Sequence, residues 1–172
     1  MEFIQYTLNW IKGEIFESAI IAFVGLLIVV SSMLFWILGS TPYARALVIP
    51  LLIAGLIPLV MGVTGVITNK NKIKSYQMAW EQDSQKFILT EKERVESFDK
   101  IFKYTYPFAI IFVIIGAILF FLIYSAHWKA ISLTMMLIGL MAYFVDHFAA
   151  ERAEIYLNHI KSALTLFKNN HI

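Results

Sequence analysis

The sequence predicts an all-α integral membrane protein with four transmembrane helices, and three observations carry that prediction. Four uncharged apolar runs recur along the chain, most of them long enough to cross ~30 Å of hydrocarbon. Hydrophobic residues make up 59% and charged residues only 15%, with a mean hydropathy of +0.71; soluble domains do not have this balance. The charge is also concentrated. Eight of the fourteen basic residues and six of the twelve acidic ones lie between Lys70 and Lys103, between the second and third runs.

The first stretch, Met1 to Glu17, is amphipathic and carries three acids, with no small-residue cleavage site, so the first span is expected to be retained. Two readings are open for Met1 to Lys12: a short helix in the membrane interface with Trp10 at headgroup depth, or a frayed extension of the next helix. Residues 18–38 form the first span, ended by the helix-breaking run Gly39-Ser40-Thr41-Pro42. Residues 46–68 form the second. The connection is short, so the two run antiparallel, and residues 1–68 are expected to act as one unit. Within the second span Pro50, Ala54, Pro58 and Gly62 recur every four residues. They form a ridge of small side chains and prolines suited to close helix packing with a fixed bend; a gating hinge is the functional alternative.

Residues 69–105 are expected to form a helical hairpin in the cytoplasm. Ile73, Tyr76, Trp80 and Phe87 share one helical arc, with Gln77 and Ser84 alongside, and Val95, Phe98, Phe102 and Tyr106 share another. Between them Thr90-Glu91-Lys92-Glu93 reads as a capping box that opens the second arm. Glu91, Glu93 and Glu96 would then favour its positive end. Each arm would be roughly 25 Å long at 1.5 Å per residue. Residues 106–145 form a second transmembrane hairpin, with spans at about 106–125 and 130–145 and a tight turn at His127-Trp128-Lys129. The last span has sixteen uncharged residues, roughly 24 Å, which is short for a bilayer.

Neither proline nor glycine separates Val145 from Phe167, so residues 146–172 are expected to continue the fourth helix as a stalk. Phe148, Ile155, Tyr156, Ile160, Ala163 and Phe167 give this stalk an apolar face. It should pack with the 69–105 hairpin as a small bundle. The hairpin's eight basic residues and the stalk's Arg152, Lys161 and Lys168 face only Arg45 and Lys129 in the two opposite loops. The positive-inside bias therefore predicts cytoplasmic termini, in a bacterial inner membrane.

Chemistry is sparsely indicated. Zero cysteines exclude disulfides and thiolate chemistry, and a net charge of +2 is too small to suggest nucleic acid. No ionisable residue lies in the middle of a span, where coupled transporters and intramembrane hydrolases need one. No phosphate loop, HExxH or GxSxG motif is present. His147, Glu151 and Glu154 fall on one helical stripe and are candidate ligands for a divalent metal, with a solvated polar face as the plainer reading. A second contributor, Glu91, Glu93, Glu96 or Asp99, would be needed. Asp146, at the edge of the short fourth span, calls for a partner; Lys103 is the expected structural ion pair, with Lys70 and Lys72 as substitutes. No other cofactor is expected.

The function these features predict is that of a scaffold, assembly factor or regulatory subunit acting through its cytoplasmic helical module. A homo-oligomeric ion channel or pore lined by the second helix is one alternative. An interfacial metal-binding protein or metalloenzyme is the other. Expected partners are the lipid bilayer and either another protein or further copies of the chain.

Overall fold

Four helices make up the described chain: α1 (Phe3–Leu38), α2 (Pro42–Gln82), α3 (Ser84–Leu122) and α4 (Ala126–Asn169). The computed structural model describes residues 3–169, apart from the side chains of 98–103 and 167–169. The expected stripe positions Phe98, Phe102 and Phe167 therefore lie outside the described residues, as do the side chains of Asp99 and Lys103. The helices run 36 to 44 residues, roughly 54–66 Å at 1.5 Å per residue. That is about twice the ~30 Å of a hydrocarbon core. Each contains a stretch long and apolar enough to cross a membrane. Short turns make successive helices antiparallel, so the apolar stretches align at one end. The surplus length of all four helices gathers at the other.

Local chemistry sets each turn. The Gly39 amide donates to the Phe35 carbonyl at 3.0 Å and closes α1. Thr41 then caps α2: its Oγ1 accepts from the Ala44 amide at 3.2 Å, and Pro42 occupies the first helical position, where a missing N–H costs nothing. At the far turn the Ile123 amide donates to Leu119, and the Ser125 carbonyl accepts from the Lys129 amide. The chain thus reverses at 123–125. His127, Trp128 and Lys129, expected to be the turn, instead form the first residues of α4. The ammonium of Lys129 lies over the rings of Phe120 and Tyr124, at 5.2 and 5.5 Å, which fixes it to its own hairpin. Arg45 is likewise engaged, its Nε donating to the Gly39 carbonyl at 3.2 Å.

The polar hairpin reverses at Asp83, not at Thr90. Asp83 is extended, and its amide donates to the Ala79 carbonyl while its Oδ1 accepts from the Lys86 amide at 2.9 Å. One residue therefore ends α2 and caps α3, and aspartate is the stronger N-cap. The Thr90 hydroxyl bonds back to the Lys86 carbonyl at 3.0 Å inside a continuous helix, so the expected capping box does not form.

Two cores result. In the apolar half Ile28, Leu51 and Ala54 pack with Leu137, Ile138 and Met141, joining the α1–α2 hairpin to α4. At the polar end Phe3, Ile4, Phe87, Ile88, Val95, Ala153, Tyr156 and Ile160 form the larger core, flanked by Tyr76, Ala79 and Trp80. From Phe3 onward the N-terminal segment is thus an unbroken extension of the first long helix, and it is packed where one of the two readings expects fraying. The buried face of α4 is rotated from the expected one. Tyr156 and Ile160 lie on it, Ala163 packs at its edge, and Ala153 joins them, whereas Phe148 and Ile155 are exposed.

Glycines set the spacing within each apolar hairpin. A Cβ on Gly55 would sit 2.8 Å from the Val29 nitrogen and 2.9 Å from the Gly25 oxygen, and one on Gly62 only 2.4 Å from the Ala22 nitrogen. The α1–α2 backbones are therefore in direct contact, reinforced by a 2.7 Å bond from Ser32 Oγ to the Val48 carbonyl. Of the expected ridge, Gly62 meets α1, Ala54 and Pro58 line a crevice toward α4, and Pro50 is half-buried. Gly55 and Gly25 lie against each other across the seam, with the Leu59 backbone nitrogen closer still to Gly25. A Gly55→Ala substitution should lower the thermal stability of the micellar protein by about 1–3 kcal/mol, because backbone cannot yield to the added methyl. Gly65→Ala should cost less, since its Cβ would meet Ser18 Oγ, a movable side-chain atom, at 2.5 Å. Circular-dichroism melts of the two variants check the ordering.

Candidate functional site

The polar end contains a buried ionic cluster contributed by all four helices. Glu91, 2% exposed, faces inward from α3. Arg94, one turn on, meets it with both arms of the guanidinium: Nε to Oε1 at 2.9 Å and Nη2 to Oε2 at 2.6 Å. From α4 the Tyr156 hydroxyl lies 3.1 Å from Glu91 Oε2 and 2.8 Å from Thr7 Oγ1 of α1. The guanidinium carbon stands 4.4 Å from the centroid of Trp10 and 5.9 Å from that of Tyr76 on α2. Trp10 stacks on Tyr156 at 5.2 Å, and Phe3 on Tyr156 at 6.1 Å.

Electrostatics follow from burial. Desolvation first, and then the Glu91 carboxylate, push the Tyr76 phenol up to about 12. The same two causes, in the same order, hold Tyr156 well above the ordinary phenol range. For Arg94 burial works against the charge, but the hydrogen bonds and charge of Glu91 outweigh it and raise its pKa. Both carboxylate oxygens are occupied and the cationic plane is covered by rings. This chemistry holds helices together. It does not leave a group free to react.

A second ionic group lies where the polar and apolar ends meet. Arg152 of α4 reaches α1, with Nη2 donating to Glu14 Oε1 at 3.0 Å and also pairing with Glu17. Gly13 makes room, since a Cβ there would meet Arg152 Nη1 at 2.7 Å. Asp146 is close enough to act electrostatically on Glu17. It lines the crevice with Ala54 and Pro58, and makes no ion pair among the described residues. Its expected partner Lys103 lies outside the described side chains, and Lys72 Nζ donates instead to Asn69 Oδ1 at 3.2 Å.

The candidate metal ligands occupy neither cluster. His147, Glu151 and Glu154 are exposed and line one side of an open groove of 590 Å³ between α4 and α3, with Asn158, Lys161, Val95 and Tyr106. Among the described residues, no group of three His, Cys, Asp or Glu side chains is arranged to hold a metal ion. Glu91, considered as a further ligand, is committed to Arg94 and Tyr156. The ring of His147 lies parallel to Tyr143 at 6.3 Å.

Sequence reasoning did not single out Thr7, Trp10, Arg94 or Arg152 as members of sites. The spacing of Glu91 and Arg94 signals an i,i+3 pair, but an exposed pair would show the same spacing. Comparison of the chain with protein families, characterised proteins and solved structures gives no match.

Replacing Arg94 by Met should leave a buried carboxylate unpaired and destabilise the protein by about 3–5 kcal/mol. The double variant Glu91→Leu, Arg94→Met should recover most of that loss in the same denaturant titration. The raised phenols set an alkaline limit. An unfolded chain releases the Tyr76 proton near 10, and the fold retains it to about 12, so stability is complete below pH 10 and falls as pH rises through 12. Unfolding midpoints across that window should decline, and less steeply in Tyr76→Phe.

Proposed function

We propose that the chain is a polytopic membrane protein serving as a scaffold, assembly factor or regulatory subunit, and that it works through its polar four-helix end. In this reading the apolar halves of α1–α4 span a bacterial inner membrane. The basic residues of 70–103 and of the α4 extension then favour a cytoplasmic position for that end and for both termini. The observation that carries the reading is the polar core itself: it draws on all four helices and is locked by the buried Glu91–Arg94 pair. A rigid platform held at fixed height above a bilayer suits docking. Its outer surface supports the same reading, since exposed Lys74 lies one turn from exposed Met78 on α2, and exposed Lys86 and Glu93 lie one turn to either side of exposed Leu89 on α3.

Native mass spectrometry of protein extracted gently from its own membrane tests this. A stoichiometric protein partner is expected, and the double variant Lys74→Glu, Lys86→Glu should lower its occupancy about tenfold with unchanged helicity. A closed homo-oligomer carrying no other protein would favour the pore instead.

A further inference from the structure

A second surface lies between α1 and α4. Phe16, Ile20 and Val24 on one helix face Met141, Phe144 and Phe148 on the other across a groove of 420 Å³, and its lining is almost entirely apolar. That volume falls within the ~300–1,000 Å³ typical of small-molecule sites. Along α4 the groove extends from Met141 to Arg152, eleven residues or roughly 16 Å. This matches the depth of one leaflet, about half of a ~30 Å hydrocarbon core. The apolar end lies toward the membrane-crossing stretches, and the polar end is closed by Glu17 and Arg152.

The charge at the polar end is specific. Among the described residues Glu14, Glu17 and the nearby Asp146 outnumber the Arg152 guanidinium, so their sum at the mouth is negative. An anionic headgroup is repelled there. Both bonds from Arg152 to the glutamates leave from Nη2, and Nη1 lies against Gly13, so Nε, which bonds none of the described residues, is the donor left for a phosphate. A ligand that fits must combine one alkyl chain, a phosphate for Arg152, and a cation able to donate hydrogen bonds to carboxylates. We propose that the α1–α4 groove binds one acyl chain of an ethanolamine phospholipid, with the headgroup ammonium against Glu14 and Glu17 and the phosphate on Arg152. A choline headgroup has no N–H to donate, and a glycerol headgroup leaves the phosphate charge uncompensated.

The inference rests on the membrane reading above but not on any protein partner. Purified protein in mixed micelles, titrated separately with phosphatidylethanolamine, phosphatidylcholine and phosphatidylglycerol, gives the occupancies by native mass spectrometry. One ethanolamine lipid per chain is expected, bound about tenfold more tightly than either competitor. Glu17→Gln should abolish the preference over choline. Val24→Trp, which fills the groove, should lower occupancy by all three lipids. Equal binding of the three lipids, an ethanolamine preference that survives Glu17→Gln, or an occupancy unchanged in Val24→Trp would each overturn the assignment. Carbonate extraction of the chain from its membrane separates the two failures. A chain released by carbonate defeats the membrane reading as well, whereas a retained chain without lipid preference defeats only this site.

Discussion

The contact between Glu91 and Arg94 is the constraint on which the polar end depends. The two residues come from one helix, yet their surroundings come from all four: Thr7 and Trp10 from α1, Tyr76 from α2, Tyr156 from α4. A buried carboxylate tolerates little freedom in its neighbours, because each lost partner exposes a charge to a low-dielectric interior. The pair therefore acts as a register device. It fixes where the start of α1 and the extension of α4 lie along α3, and the aromatic rings then fill the space that the register defines.

The apolar half is held differently. In the proposed membrane setting there is little hydrophobic gain in leaving lipid, so close packing and interhelical hydrogen bonds would supply the adhesion. Gly25, Gly55 and Gly62 bring α1 and α2 to backbone contact, and Ser32 adds a bond across the seam. Gly116 and Gly139 do the same for α3 and α4. The two hairpins meet each other less closely, chiefly through Leu51 and Ala54 against Leu137, Ile138 and Met141. Crevices remain along that junction. They arise because tight seams within hairpins leave bulky Phe144, Phe148 and Phe16 to border the space between them.

Continuity connects the halves. All four helices contribute to the polar core, and α1, α2 and α4 run on without a break into the apolar one. Prolines 50 and 58 lie within α2 and do not interrupt it. Arg152, paired with Glu14 and Glu17, ties α4 to α1 at the boundary, where a long cationic side chain can keep its head in a polar layer while its stem packs against apolar groups.

The helical class, the four apolar stretches, the turn at residues 39–42 and an unbroken α4 were legible in composition, hydropathy and helix-breaking residues, because these are local properties. The turn at Asp83 is not evident locally because Thr90-Glu91-Lys92-Glu93 offers a competing capping box; the stronger aspartate cap, with Tyr76 and Trp80 meeting Phe87 across the turn, accompanies the earlier one. The candidate ligands His147, Glu151 and Glu154 form one stripe in the sequence and share a groove in the structure. Among the described residues they belong to no group able to hold a metal ion, and such a group would depend on what α3 presents opposite them. By itself the sequence determined which stretches are apolar and which end of each hairpin is polar, since charge and hydropathy act residue by residue. The full lengths of α1, α2 and α3 depend on the reversal at Asp83 and on the packing of the start of α1. Tertiary structure alone decided that Phe3, Thr7 and Trp10 enter the core, that Glu91 is buried with Arg94, and that Arg152 reaches Glu14 and Glu17. Each of these joins residues more than sixty positions apart, or depends on burial that such contacts create, and no local periodicity encodes a partner at that distance.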